Sequence, residues 1–305
     1  MDTTTESSSA HLVMTTLDEY FANTRREQQL ILDACSSGDI ELLQHCFDRH
    51  GVRPGSKPIP MDVAGDDSSQ TEEQEMFTES IIPPADELLE RAVAARQTTL
   101  VKFILLTYPS LSLSQNHGIV RAVLENPDAE ILHYLCKHDH TFASLSIDYG
   151  FRTFLTDACA LPPAQAVPIL HVLLDNGADV NDGWGSGGGG LYAAIVGHQP
   201  VEIISKMVSK DAIVGTTVID AAIQGGDADI VRALLSSGQI SQNVAVKKCI
   251  ELAEMQGDEE ITRIVKDWAK SRTKGAVKRP KKNWWDLRAL LPWYLLDLSK
   301  KKAKV

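Results

Sequence analysis

At 305 residues and 43% hydrophobic content, the chain is long enough for one large core or two ordinary domains. Its five cysteines and nine histidines are scattered without a CxxC pair, which argues against a disulfide framework or a zinc scaffold. The net charge of −11 divides unevenly: from Lys270 onward 12 Lys/Arg face two acids, whereas the preceding 269 residues carry 18 against 39, so an acidic body ends in a basic tail.

The N-terminal stretch MDTTTESSSAHLVMTT has neither the basic start nor the continuous apolar run of a secretory signal. LDEYFANTRREQQL, Leu17 to Leu30, predicts a helix, and residues 1–28 read as a flexible segment plus this polar capping helix. ILDACSSGDIELLQHCF then sets out a ruler. From Ala34, Gly38 comes four residues later, and Leu42, Leu43, Cys46 and Phe47 come at eight, nine, 12 and 13. Such a unit reads as a short helix with a small residue at its packing position, a Gly-containing turn, and a second amphipathic helix.

Residues 51–84, GVRPGSKPIPMDVAGDDSSQTEEQEMFTESIIPP, interrupt the pattern. Their Pro, Ser and acidic residues bury too little apolar surface to offset ordering entropy, so a mobile loop is expected. The alternative is an acidic docking or phosphorylation segment using Ser68, Ser69 or Thr71.

The ruler returns at LLERAVAARQTTLVKFIL, with Ala92, Arg96 in place of Gly, and Leu100, Val101, Ile104 and Leu105. Three looser copies follow. IVRAVLENPDAEILHYL has one extra residue around Pro127, FLTDACALPPAQAVPILHVLL about three around Pro162 and Pro163, and LYAAIVGHQPVEIISKMV about two around Pro200. Each irregularity falls between the two apolar segments, where a turn absorbs it. TVIDAAIQGGDADIVRALLSSG matches fully from Ala222, through Gly226, Ile230, Val231, Leu234 and Leu235. IELAEMQGDEEITRIV matches from Ala253, with Gly257, Ile261 and Val265.

A single hairpin of this kind cannot cover its own apolar face, so the units are expected to stack. ILHVLLDNGADVN, Ile169 to Asn181, ends a second helix at Gly177, a residue suited to a left-handed cap, and turns toward the next unit. LLDNGADVN and AAIQGGDADIVRALLSSG resemble the ankyrin repeat family, whose unit is about 33 residues. The family's TPLH opening survives only as TVID at Thr217 to Asp220 and in GLYAA at Gly190 to Ala194. Tetratricopeptide and HEAT units are also helix pairs, but neither predicts the Gly-Ala-Asp-Val-Asn finger. The resemblance spans about Gln29 to Ser271 and implies an all-α, ankyrin-like helical solenoid of about six to seven units over residues 29–271.

Two stretches invite a chemical reading. HYLCKHDH, His133 to His140, would place His133 and Cys136 on one helical face with His138 and His140 close by, as a metal site would need; a polar helix end explains them as well. GWGSGGGGLY, Gly183 to Tyr192, lacks the Gly-Lys-Ser/Thr ending of a phosphate loop and reads as an enlarged finger. No catalytic constellation stands out, so neither an enzyme, a cofactor nor a metal is expected.

The C-terminal segment, residues 272–305, is the least repeat-like. WWDLRALLPWYLLDL, 15 residues from Trp284, contains Asp286, Arg288 and Asp297, whereas a membrane span needs roughly 20 nearly uncharged residues. Lys278, Arg279, Lys281 and Lys282 resemble an import signal, and KKKAK follows at Lys300. Trp284, Trp285, Leu287, Leu291 and Trp293 could instead lie on an anionic membrane surface, or dock on the last unit and seal its apolar end, the reading placed slightly first.

The resemblance implies a noncatalytic adaptor, cytoplasmic or nuclear and monomeric, that binds an unidentified protein through its fingers and concave face. Asp179, Asn181, Asp182, Trp184 and Tyr192 are the expected contacts. The alternative is a peripheral membrane protein anchored by the tail; a nucleic-acid partner is not expected.

Overall fold

The computed structural model describes residues 5–58, 80–147, 151–183 and 189–275, with side-chain surroundings from residue 19 to residue 272 within those ranges. Ser68, Ser69, Thr71, Trp184, and the tail residues Lys278, Arg279, Lys281, Lys282, Trp284, Trp285, Leu287, Leu291 and Trp293 lie outside the described residues.

The described chain is mostly helical. In order come α1 (Thr5–Ser37) and α2 (Ile40–Arg49), α3 (Ala85–Ala94) and α4 (Thr98–Thr107), α5 (His117–Glu125) and α6 (Ala129–His138). A two-residue antiparallel ribbon follows, β1 (Ser146–Ile147) and β2 (Arg152–Thr153), with Ser146 opposite Thr153. Then come α7 (Phe154–Ala158) and α8 (Pro163–Asp175), α9 (Gly189–Val196) and α10 (Val201–Ser209), α11 (Thr216–Gly225) and α12 (Ala228–Ser236), α13 (Val246–Gln256) and α14 (Glu259–Gly275).

Odd-numbered helices pack on the next odd-numbered helix from α1 through α13, and from α4 onward each even-numbered helix packs on the next even-numbered one. Between α2 and α4 the link is aromatic: Phe47 stacks on Phe103 at 5.8 Å between ring centroids and meets Tyr108 edge-on at 6.1 Å.

Close approach of the first helices depends on one small residue in each. Ala34, Ala92, Ala122, Ala158, Ala194, Ala222 and Ala253 are all 4% exposed or less. From Ala92 onward they recur every 28 to 36 residues. In the LYAAIVGHQPVEIISKMV copy the buried alanine is Ala194, with Ala193 only half-buried, so the turn at Pro200 holds one extra residue rather than two.

The turn between the helices of a pair also recurs. Gly38, Arg96, His198, Gly226 and Gly257 adopt left-handed backbone, with φ between 54° and 85°. Just beyond, the amides of Asp39, Gln97 and Gln199 return to the carbonyls of Ala34, Ala92 and Ala194, closing the first helix. Asp39, Asp128 and Asp227 then cap the second helix by accepting from its first-turn amides. The Pro-bearing turns after α5 and α7 reverse without a left-handed residue.

The ends of the row differ from its middle. α1 runs unbroken from Thr5, because no Gly or Pro interrupts it before Gly38; the expected flexible segment and separate capping helix are one helix with the first unit. At the other end, Thr262 and Lys266 stand where α12 has the buried Val231 and Leu235. Thr262 donates to the Ala253 carbonyl at 3.0 Å, and Lys266 pairs with Glu254 at 2.7 Å. This far face is polar, which removes the physical reason for an apolar seal there.

Adjacent glycines after Ala222 give a test of the turn. Gly225 is helical and Gly226 has φ +71°, and a Cβ on either would meet nothing within 4 Å. Gly225→Ala should raise stability by about 0.5 kcal/mol and Gly226→Ala should lower it by about 1 kcal/mol, read from urea unfolding midpoints. Effects of the same sign would contradict the turn geometry.

Candidate functional site

The loops after the second helices adjoin one another, and the site is built on them. Gly177 is left-handed at φ 87°, and the Ala178 amide returns to the Leu173 carbonyl at 3.0 Å. Ala178 and Val180 turn inward and are buried, leaving Asp179 exposed between them. Its carboxylate accepts from the Asn181 amide at 2.8 Å. Asn181 reaches the next loop: its Nδ2 donates to the Asp211 carbonyl at 3.1 Å and its Oδ1 accepts from the Ile213 amide at 2.8 Å. Asp211, itself left-handed at φ 63°, accepts from Gln239 Nε2 of the following loop at 2.7 Å. Val214 and Ile240 form a parallel bridge at the same level.

Similar ties join the earlier loops. Leu113 donates to Asp139 Oδ2 at 2.8 Å, a ring nitrogen of His138 meets the Leu111 carbonyl at 2.8 Å, and Ser144 donates to the Gly177 carbonyl at 3.0 Å. Burial of Asp139 opposes its ionisation, but hydrogen bonds from the Thr141 hydroxyl and the Leu113 and Thr141 amides outweigh it and lower its pKa. Asp139 thus holds a loop.

Of the residues expected to touch a partner, Asn181 spends its amide on the neighbouring loop and positions it. Asp179 is exposed, Asp182 is half-buried and accepts from the Gly183 amide at 2.8 Å, and Tyr192 is half-buried on α9. Of the glycines beside this stretch, Gly189 and Gly190 answer packing needs. A Cβ on Gly189 would lie 2.2 Å from the Asp182 carbonyl oxygen, and one on Gly190 would lie 2.9 Å from Leu155 Cδ2.

Sequence reasoning expected a concave face beside these loops but named only Tyr192 among the first-helix residues on it. On each odd-numbered helix the alanine side packs inward, so the opposite residues of successive first helices share one outward face. Over α3 and α5 that face is charged: Glu87, Glu90, Arg91, Arg121 and Glu125 line a cavity of about 420 Å³. Across α9, α11 and α13 its character changes to Tyr192, Ala193, Val196, Ala221, Leu252 and Met255. Val196 is 52% exposed and Met255 76%. The charges there are paired: Lys248 Nζ meets the largely buried Asp220 at 2.5 Å, which raises the pKa of the lysine, and the exposed Lys247 meets Glu251 at 3.5 Å. Phe151, 68% exposed beside Gly183, and Ile213 flank the loop of Asn181. The signal was present in the sequence as apolar residues off the ruler, at positions where the first half has Arg, Glu and Asp.

The reactive side chains do not converge. Cys136 is buried, whereas His133 and His140 are exposed and His138 is tied to Leu111, so the HYLCKHDH residues share no centre. Among the described residues no group of three or more His, Cys, Asp or Glu is placed to hold a metal. Burial pushes the Cys35, Cys136 and Cys159 thiols up to about 12 and Cys249 to about 11, far from the range of a thiolate nucleophile. Among the described residues no helix is long and apolar enough to cross a membrane. No family model matches the chain, and no curated protein matches it.

Two outcomes follow from these environments. Asn181→Ala removes both ties to the next loop and should cost about 1–2 kcal/mol in denaturant unfolding; an unchanged midpoint would remove Asn181 from the loop scaffold. At mildly alkaline pH a disulfide reagent should react slowly with the folded chain, at Cys46 first because it is 9% exposed and its thiol only modestly raised, and with all five thiols after unfolding. Fast reaction at Cys159 or Cys136 would contradict the burial described.

Proposed function

We propose that this chain is a noncatalytic ankyrin-type repeat protein, a scaffold or adaptor that grips a protein partner across the outward face of its first helices and the adjoining loops. The observation that carries the reading is the band of apolar residues over α9, α11 and α13, where the charges of α13 are paired, bordered by loops held in register. Its exposed Val196 and Met255, beside half-buried Tyr192 and Leu252, offer a partner apolar surface with little charge to desolvate.

Further support comes from the helix pairs. Their buried alanines, left-handed turns and 28- to 36-residue recurrence fit an ankyrin-type unit of about 33 residues. In such a stack each pair is stabilised by its neighbours, and the outward residues are free to set partner identity. Five unpaired cysteines fit a reducing compartment, and a cytoplasmic or nuclear adaptor is the corresponding setting.

The test places charge on the exposed members of the band, which do not pack on the core. Val196→Lys together with Met255→Lys should abolish retention of the partners that the natural chain captures from its own cell, while thermal unfolding is unchanged. Retention at the natural level would move the binding surface elsewhere.

A further inference from the structure

Among the described residues no element packs on the band over α9, α11 and α13, whose exposed side chains include Val196 and Met255, and the chain itself contains a segment chemically suited to it. We propose that residues 276–305 bind back across this band, so that the tail acts as an intramolecular competitor for the partner surface. The inference rests on the reading of that face as a binding surface and adds what regulates it.

Three observations favour the chain's own tail over other occupants. The first is place. α12 leads into the loop that carries Gln239 and Ile240, so the second helices run toward the loop side, and α14, packed on α12, ends at Gly275 on that side. The tail therefore starts beside the border of the band. The second is reach. Thirty residues at about 3.3 Å each can extend roughly 100 Å, whereas α13 to α9 is two helix spacings of about 10 Å.

The third is chemistry. Residues 276–305 carry nine Lys/Arg against two Asp, and between the basic runs lie Trp284, Trp285, Leu287, Leu291 and Trp293. The loops bordering the band present Asp179, Asp182 and Asp211. Among the described residues these carboxylates accept from the amides of Asn181, Gly183 and Gln239, and a lysine can pair with them beside those bonds. The far face of α13 and α14 is a poorer fit. Its groove of about 470 Å³ balances Glu254, Glu259 and Asp267 against Arg263, Lys266 and Lys270, so its carboxylates already face cations of their own.

The experiment is zero-length coupling of carboxylates to lysines in the full chain, with peptides mapped by mass spectrometry. An equal mixture of heavy-isotope and natural chains separates links within a chain from links between chains. The proposal predicts links from Lys278, Lys281, Lys282 or Lys300 to Asp179, Asp182 or Asp211, within single chains, and their loss in the Val196→Lys, Met255→Lys variant. Links confined to Glu254, Glu259 or Asp267, links only between chains, or no links in a chain that binds phosphatidylserine vesicles through its tail would each overturn it. Failure here and failure of the partner-surface reading are distinguishable. If the lysine variant loses its partners but the natural chain shows no tail links, the surface stands and the tail proposal falls. If the links form as predicted but the lysine variant keeps its partners, the tail docks and the surface reading falls.

Discussion

The contact on which the rest depends is the close approach of successive first helices at their buried alanines. A pair of ten-residue helices has too little surface to cover its own apolar side, and isolated helices of that length are marginal in water. Ala92, Ala158 and Ala222 let the next first helix come near enough to bury Leu88, Leu155 and Val218. A large side chain at any of these positions would separate two pairs and uncover both, because interiors of this density accommodate added volume poorly. Everything else in the fold either permits that approach or repeats it.

Regular spacing of the pairs has consequences at both edges. On the turn edge it requires a left-handed residue soon after the alanine, and the chain accepts Arg96 and His198 in that role as well as glycine. On the loop edge it brings each connection alongside the next, where Asn181, Asp211, Ser144 and Asp139 spend their polar groups on neighbouring backbone. The loops are thereby held at a common level, and the outward face of the first helices becomes a continuous surface. Its two halves differ: the half over α3 and α5 is lined mainly by charge, whereas the half over α9, α11 and α13 adds Tyr192, Val196, Leu252 and Met255 to the paired charges of α13. The proposed binding role draws on that difference.

Much of this was legible in the sequence because it is local. The helical offsets from Ala34, Ala92, Ala222 and Ala253 mark residues that are buried in the structure, Leu42 being half-buried, and Gly177 is left-handed as a helix cap of that type must be. Arg96 could be placed by the ruler alone. The register at LYAAIVGHQP was off by one, since two alanines were available and His198 carries no outward sign of a left-handed backbone. The break expected between an N-terminal segment and the first unit was absent, since nothing between Thr5 and Ser37 interrupts a helix. The ribbon at Ser146 to Thr153 was also missed, being too short for an alternating pattern to register. Asn181 illustrates the harder limit: its polarity and loop position suggested a partner contact, whereas its hydrogen bonds go to residues 30 and 32 positions away.

The central claim is that stability is local to neighbouring pairs, so that one pair can be removed and its neighbours will close over the gap. The most direct measurement is urea unfolding of a chain lacking residues 215–244, which takes out α11 and α12 and joins Val214 to Ala245. The account predicts a helical chain that still unfolds cooperatively, less stable and with a shallower dependence on urea in keeping with the smaller buried surface. A chain that fails to fold, or that loses helical signal far beyond the deleted pair, would contradict it.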